Sequence, residues 1–250
     1  MKTAIGILKR HLIVFRRTLW SNMVFNVLEP FLYLSAMGFG LGAYVQDMGG
    51  MSYIQFIAPG MVASAAMWAA TFECTYSSFV RLHYQKTFHA MLAGPATVGD
   101  VVIGEVLFGI VKNIVFGIVI LVVIALMGQV QSVWSLLIPL FLVLPGTVFS
   151  LMALSYTGII SHIDYLNYYI TLVTTPMYLF AGVFFPVSSM PEWMQLLAWL
   201  NPLYHSVEVC RALVIGNAGS VLWLHAASLA LFSVVLAAVP VYFLKKRLIS

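Results

Sequence analysis

The chain has 250 residues, 62% hydrophobic and only 8% charged, with a net charge of +4. Soluble domains carry about 25% charged residues, so a soluble globular fold is excluded, and the length suits one membrane domain of about six helices at about 20 apolar residues per span. The basic excess lies in the two tails, which fits membrane orientation and anionic lipid headgroups and gives no reason to expect a nucleic-acid partner.

The amino-terminal segment carries Lys2, Lys9, Arg10, Arg16 and Arg17, with Ile5, Leu8, Leu12 and Phe15 at helical spacing. It reads either as a basic amphipathic helix lying in the membrane interface over residues 1–20, or as a flank that only sets topology. Six apolar runs come next, near 22–44, 53–80, 101–127, 133–160, 165–185 and 221–244. The predicted fold is therefore all-α, one membrane domain over residues 1–250. Ten of the twelve Lys and Arg fall in the first tail, in the 81–100 connection or in Lys245-Lys246-Arg247. The positive-inside rule then places both termini and that connection in the cytoplasm.

The 81–100 connection is too polar for lipid. Tyr84, Phe88 and Met91 fall three and four residues apart on one helical face, with Gln85, Lys86 and His89 beside them. Gly94-Pro95 is expected to stop this helix through a left-handed glycine, and the next one to restart near Asp100. Two readings fit: a plain connecting loop, or a short lever between two spans that something else pushes.

The connection at 186–220 is on the outer side yet strongly apolar, with Trp193 and Trp199 in its first half. Asn201-Pro202 is a good helix start and Gly216 a stop. Two helices of ten to fourteen residues would reach only about 15–21 Å, short of a ~30 Å hydrocarbon core. They read as a re-entrant pair, the alternative being a loop lying flat on the membrane.

No Gly-Lys dipeptide occurs, so there is no phosphate-binding P-loop, and HExxH and GxSxG are absent too. Cys74 and Cys210 form no CxxC pair, which leaves no metal or redox signature. The first apolar run is too long for a cleavable signal peptide and lacks a small-residue cleavage site. The candidates for function are charges placed among apolar residues: Glu29, Glu73, Glu105 and Lys112. Glu73 and Lys112 read as a structural pair across adjacent spans or as handlers of protons or substrate, and Glu105 as a partner of its helix dipole. Glu208 and Arg211, three apart, read as a local pair on the outer side. Phe31, Tyr33, Phe180, Phe184 and Phe185 either pack or line a passage for an amphipathic or glycosidic substrate.

Several strings together resemble an ABC-2 type exporter permease along nearly the whole chain. They are Leu28-Glu-Pro-Phe-Leu-Tyr-Leu34, Ala58-Pro-Gly60, Met91-Leu-Ala-Gly-Pro95, Gly104-Glu105, Pro176, Gly182-Val-Phe-Phe-Pro186 and Asn201-Pro-Leu-Tyr-His205. The likeness is greatest to the subgroup exporting lipo-chitin oligosaccharide nodulation factors. It implies a homodimer in a bacterial cytoplasmic membrane with two copies of a separate ABC ATPase. No cofactor would sit on this chain, and ATP and Mg would be bound by the partner. Residues 84–93 would be the coupling helix, and a charge at Phe88 is expected to uncouple the ATPase without unfolding the chain. Two other readings remain open: a stand-alone proton-coupled transporter using Glu73 or Glu29, and a membrane enzyme using His205 and Glu208.

Overall fold

The computed structural model describes residues 2–45, 50–217 and 219–249, without the side chains of residues 20–27, 29, 39, 220 and 221. Every regular element among the described residues is helical. The chain opens with α1 (Lys2–Ser35), which continues through a π turn at Ala36–Gly40 and tightens into a 3-10 turn at Leu41–Ala43. The basic segment and the apolar one after it thus belong to one helix rather than two. No Gly or Pro lies between Arg17 and Glu29 to break it.

Helix α2 (Tyr53–Phe72) starts at a capping box, in which the Gln55 amide donates to Ser52 Oγ and the Ser52 amide to Gln55 Oε1. It continues through π turns at Glu73–Ser77 and Val80–Tyr84, so that residues 53–84 form one run. A short helix α3 (Thr87–Leu92) leads to α4 (Val98–Leu126). Then come α5 (Ile138–Phe141) and α6 (Val143–Ile159), and α7 (Leu166–Tyr169) and α8 (Thr175–Leu179) on either side of a π turn. The chain closes with α9 (Glu192–Trp199), α10 (Pro202–Ile215), α11 (Ser220–Leu236) and α12 (Val239–Ile249).

Among the described residues four helical runs are long and apolar enough to cross a membrane: Tyr53–Tyr84, Val98–Leu126, Val133–Ile159 and Leu222–Ile249. At 1.5 Å per residue each spans roughly 40 Å or more, beyond the ~30 Å of hydrocarbon. The sequence predicts two more. For the first, Pro30–Ala43 is a shorter apolar helix. For the fifth, the helical stretch 163–179 is interrupted by the π turn at Ile170–Thr174 and measures only about 25 Å.

The main core joins α2, α4, α6 and α10 around Ile57, Met67, Ile120, Leu142 and Phe149. Gly109 permits a close approach of α4: a Cβ there would lie 2.9 Å from Cys74 Sγ and nearer still to Ser150 Oγ. Gly109→Ala should therefore lower stability by about 1–3 kcal/mol through overpacking. Gly6→Ala, with nothing within 4 Å of the new methyl, should cause no loss; thermal unfolding in detergent compares the two.

Helix α1 packs on α4 through Ala4, Ile7, His11 and Phe15, while Ile5 and Leu12 face outward. The buried face is thus rotated from the apolar stripe read off the sequence. Gly104 explains the rotation, because a Cβ there would meet Ile7 at 2.6 Å.

Candidate functional site: a buried charge cluster beside the α2–α3 turn

On a regular helix Glu73 and Arg81, eight residues apart, would point about 80° away from each other. The π turn at Glu73–Ser77 inserts one residue between them, which turns the rest of the helix back by about 100° and brings the two side chains into line. Facing them on α4 are Glu105 and Lys112, seven residues apart and so two turns along one face. His11 enters from α1.

These five side chains form one connected cluster. Arg81 Nη2 lies 2.7 Å from Glu73 Oε1 and also contacts Glu105 Oε2. Lys112 Nζ is 2.5 Å from Glu73 Oε2, and His11 Nε2 is 2.9 Å from Glu105 Oε1. Ser78 Oγ donates to Glu105 Oε2 at 2.7 Å. Glu73 and Glu105 are almost wholly buried, and Arg81 and Lys112 are 12% and 15% exposed. Two carboxylates are therefore shared between Arg81 and Lys112. The His11 ring stacks on Phe108, 5.0 Å between centroids, and Lys112 lies over Phe15 at 5.4 Å. An open cleft of about 580 Å³ runs along the cluster, walled by Arg10, Val14, Tyr76 and Gln85.

Arg81 and His11 were not legible as members. Arg81 reads as the start of the cytoplasmic connection, and only the inserted π residue aims it inward. For His11 a signal existed, since Ala4, Ile7, His11 and Phe15 recur at helical spacing. Glu105 is a hub of the cluster rather than a partner of its helix dipole. The side chain of Glu29 lies outside the described residues.

Immediately beyond Arg81 the chain turns. Lys86 adopts a left-handed backbone, φ 52°, which ends the α2 run and aims α3 in a new direction. Tyr84 and Gln85 thus terminate the preceding run instead of starting the short helix, a correction to the single face expected for Tyr84, Phe88 and Met91. Tyr84 is 65% exposed, and Gln85, Lys86 and His89 are exposed as well. Phe88 is fully buried, packed in a cluster with Leu82, Val98, Val101 and Leu154, and Met91 is half-buried at its edge. Phe88 is therefore the anchor of α3 and not part of its outer face. The helix ends at Ala93 without a left-handed Gly94. Helix α4 starts at Thr97, whose Oγ1 accepts from the Asp100 amide while Asp100 Oδ2 accepts from the Thr97 amide.

At the opposite end, α10 is tied down at several points. Asn201 Oδ1 accepts from the Leu203 amide at 2.9 Å, and Asn201 Nδ2 donates to the Met177 carbonyl at 2.8 Å. Arg211 pairs with Glu208, donates to the Gly182 carbonyl at 2.7 Å and stacks over Phe56 at 4.1 Å. Trp193 is exposed, and Trp199 packs against His225. His205 bonds to the Trp199 carbonyl and to His225. With Glu208 committed to Arg211, the two residues needed for an enzyme at the outer face are both engaged structurally.

Of the aromatic residues, Tyr33, Phe184 and Phe185 share a cleft of about 980 Å³. Tyr33 also borders a smaller apolar cavity of about 270 Å³ with Tyr178 and with Trp68 and Phe72, two residues that the sequence did not single out. Phe180 lines a separate hollow beside Trp193, and Phe31 is exposed.

The family model described as "ABC-2 type transporter" matches residues 4–215. The chain belongs to the ABC-2 type transporter family. It is 34% identical over 246 residues to "Nodulation protein J" of Sinorhizobium fredii, covering 98% of this chain and 94% of that protein. Similarity to "Nodulation protein J" of Rhizobium meliloti is 34% over 244 residues, covering 98% and 93%. "Inner membrane transport permease YadH" of Escherichia coli is 27% identical over 197 residues, 79% of this chain and 77% of that protein. This ABC-2 permease is an integral membrane protein, its apolar helices carrying the family assignment into physical terms.

Proposed function

We propose that this permease is the transmembrane subunit of an ATP-driven exporter, a homodimer with six spans per subunit and both termini in the cytoplasm of a bacterial cell. Two copies of a separate ATPase bind ATP and Mg and dock on the outer face of the α2–α3 turn. The observation that carries this reading is that turn's two-sided construction in a chain matching the ABC-2 family over residues 4–215. Phe88 seats α3 in the bundle, while Tyr84, Gln85, Lys86 and His89 stay exposed on its far side. A push on that surface reaches Arg81 within a few residues, and Arg81 is joined to α4 and α1 through Glu105 and His11. The charge cluster would thus make three helices answer as one body.

For the cargo, the resemblance to nodulation-factor exporters supports an amphipathic lipo-oligosaccharide, taken from the cytoplasm or inner leaflet. The aromatic cleft with Tyr33, Phe184 and Phe185 offers stacking faces for sugar rings beside apolar walls. A stand-alone proton carrier fits Glu73 poorly. A carrier has to bind and release protons, and Glu73 is already held by Arg81 and Lys112 together.

The test is co-purification with a candidate ATPase in nanodiscs. Tyr84→Ala/His89→Glu should reduce the retained ATPase at least tenfold while leaving the permease monodisperse and its melting temperature unchanged. Undiminished retention would remove the α2–α3 turn as the docking surface.

A further inference from the structure

Beyond export itself, the outer end of the molecule contains a pair of buried histidines that take no part in the coupling route. His205 on α10 and His225 on α11 approach with Nδ1 to Nδ1 at 2.8 Å, while His205 Nε2 lies 2.9 Å from the Trp199 carbonyl. Both rings are buried. A carbonyl can only accept, so His205 carries its hydrogen on Nε2 and presents a lone pair at Nδ1. His225 must then donate from Nδ1, which leaves its Nε2 as the open nitrogen.

This arrangement counts protons. The first added proton goes to His225 Nε2. It leaves the Nδ1–H···Nδ1 bond intact and charge-assisted, and the resulting cation lies against the Trp199 ring, stacked at 5.5 Å. A second proton has only His205 Nδ1 left. There it replaces the acceptor with a donor, and two N–H groups and two positive charges face each other.

The surroundings offer little to offset that. On α10 the nearby titratable groups are Tyr204, its ring 5.5 Å from both histidines, and Glu208, which is paired with Arg211. The α11 helix contributes no titratable group besides His225, and α6, packed against both helices, has no acidic or basic residue. At the α9 end the contact is the Trp199 carbonyl and ring, with Glu192 at the far end of that helix.

The pair also sits at a joint. On its other side α10 is bound to α8 and the chain after it through Asn201 and Arg211, and to α2 through Phe56. The histidine bond is a polar tie between that assembly and the last span.

We propose that His205 and His225 form a proton-operated latch between α10 and α11. It is closed while the pair holds at most one added proton, and the second proton opens it. Release comes with acidification through the imidazole range.

Cys210, fully buried on α10, is a native reporter of that helix lifting, and Cys74, buried at the other end of α2, is the internal reference. The 250-residue chain in nanodiscs is treated with 4,4′-dithiodipyridine at about pH 7.5 and about pH 4.5, on either side of the imidazole range. Modification at each cysteine is read by peptide mass spectrometry. The Cys210-to-Cys74 ratio of rates should rise at least fivefold at the lower pH. In His225→Gln, whose amide donates to His205 Nδ1 and, turned over, accepts from it once His205 is protonated, no second positive charge arises and the ratio should stay flat. A ratio that does not change with pH in the wild-type chain overturns the latch, and so does an equal rise in His225→Gln. Should that variant fail to fold, the wild-type ratio alone decides. No ATPase enters the measurement, so its outcome is independent of the export reading.

Discussion

Replacing Arg81 by Met is expected to be among the most damaging single changes in the chain. The guanidinium contacts both Glu73 and Glu105, and both carboxylates are buried. Removing the cation leaves Glu73 with Lys112 alone and Glu105 with His11 and the Ser78 hydroxyl. Breaking a buried ion pair by deleting one partner costs about 3–5 kcal/mol, mostly because the remaining charge is stranded. For a chain of this length that corresponds to a melting temperature lower by about 6–20 °C. Adding Glu105→Gln in the same chain should restore a substantial part of the loss. The amide removes the stranded charge while its oxygen still accepts from Ser78. Thermal unfolding of the purified variants in detergent checks both statements. A decrease of less than about 2 °C for Arg81→Met would mean that water from the adjoining cleft solvates the carboxylates.

The same cluster shows which features the sequence could and could not disclose. Glu73, Glu105 and Lys112 stand out because a charge among apolar residues demands a partner. Their partners depend on how helices rotate, and rotation is set by features without a local signature. Nothing in Glu73-Cys-Thr-Tyr-Ser77 announces a π turn, yet that turn decides whether Arg81 faces Glu105 or turns away from it. The ends of elements were easier, since Asn201 with Pro202 is read directly as a helix start and the restart expected near Asp100 lies three residues from the Thr97 cap. Faces were harder. Helix α1 buries Ala4, Ile7, His11 and Phe15, because Gly104 admits Ile7 and Glu105 engages His11. The apolar count alone favours Ile5 and Leu12 instead. In a membrane chain both faces of a helix are apolar enough to bury, so periodicity loses the contrast that makes it informative in water.

Phe88 carries that lesson into the second large effect. From spacing alone it belongs with Tyr84 on a face offered to a partner, and Phe88→Asp would disturb docking only. The structure gives it no exposure and surrounds it with Leu82, Val98, Val101 and Leu154. Removing a buried Phe side chain costs about 3–5 kcal/mol, and an unpaired carboxylate in its place adds to that. Phe88→Asp should therefore abolish monodisperse protein, and Phe88→Leu should be tolerated at a cost of about 1–2 kcal/mol. Tyr84→Ala/His89→Glu, on the exposed side of the same turn, should leave stability unchanged and weaken ATPase retention. Size-exclusion profiles and melting curves of the three variants, each combined with ATPase pull-down, separate anchor from docking face. If Phe88→Asp instead stayed folded and lost only the ATPase, α3 would have to rotate Phe88 outward when the complex forms. The α2–α3 turn would then be a moving part rather than a fixed seat.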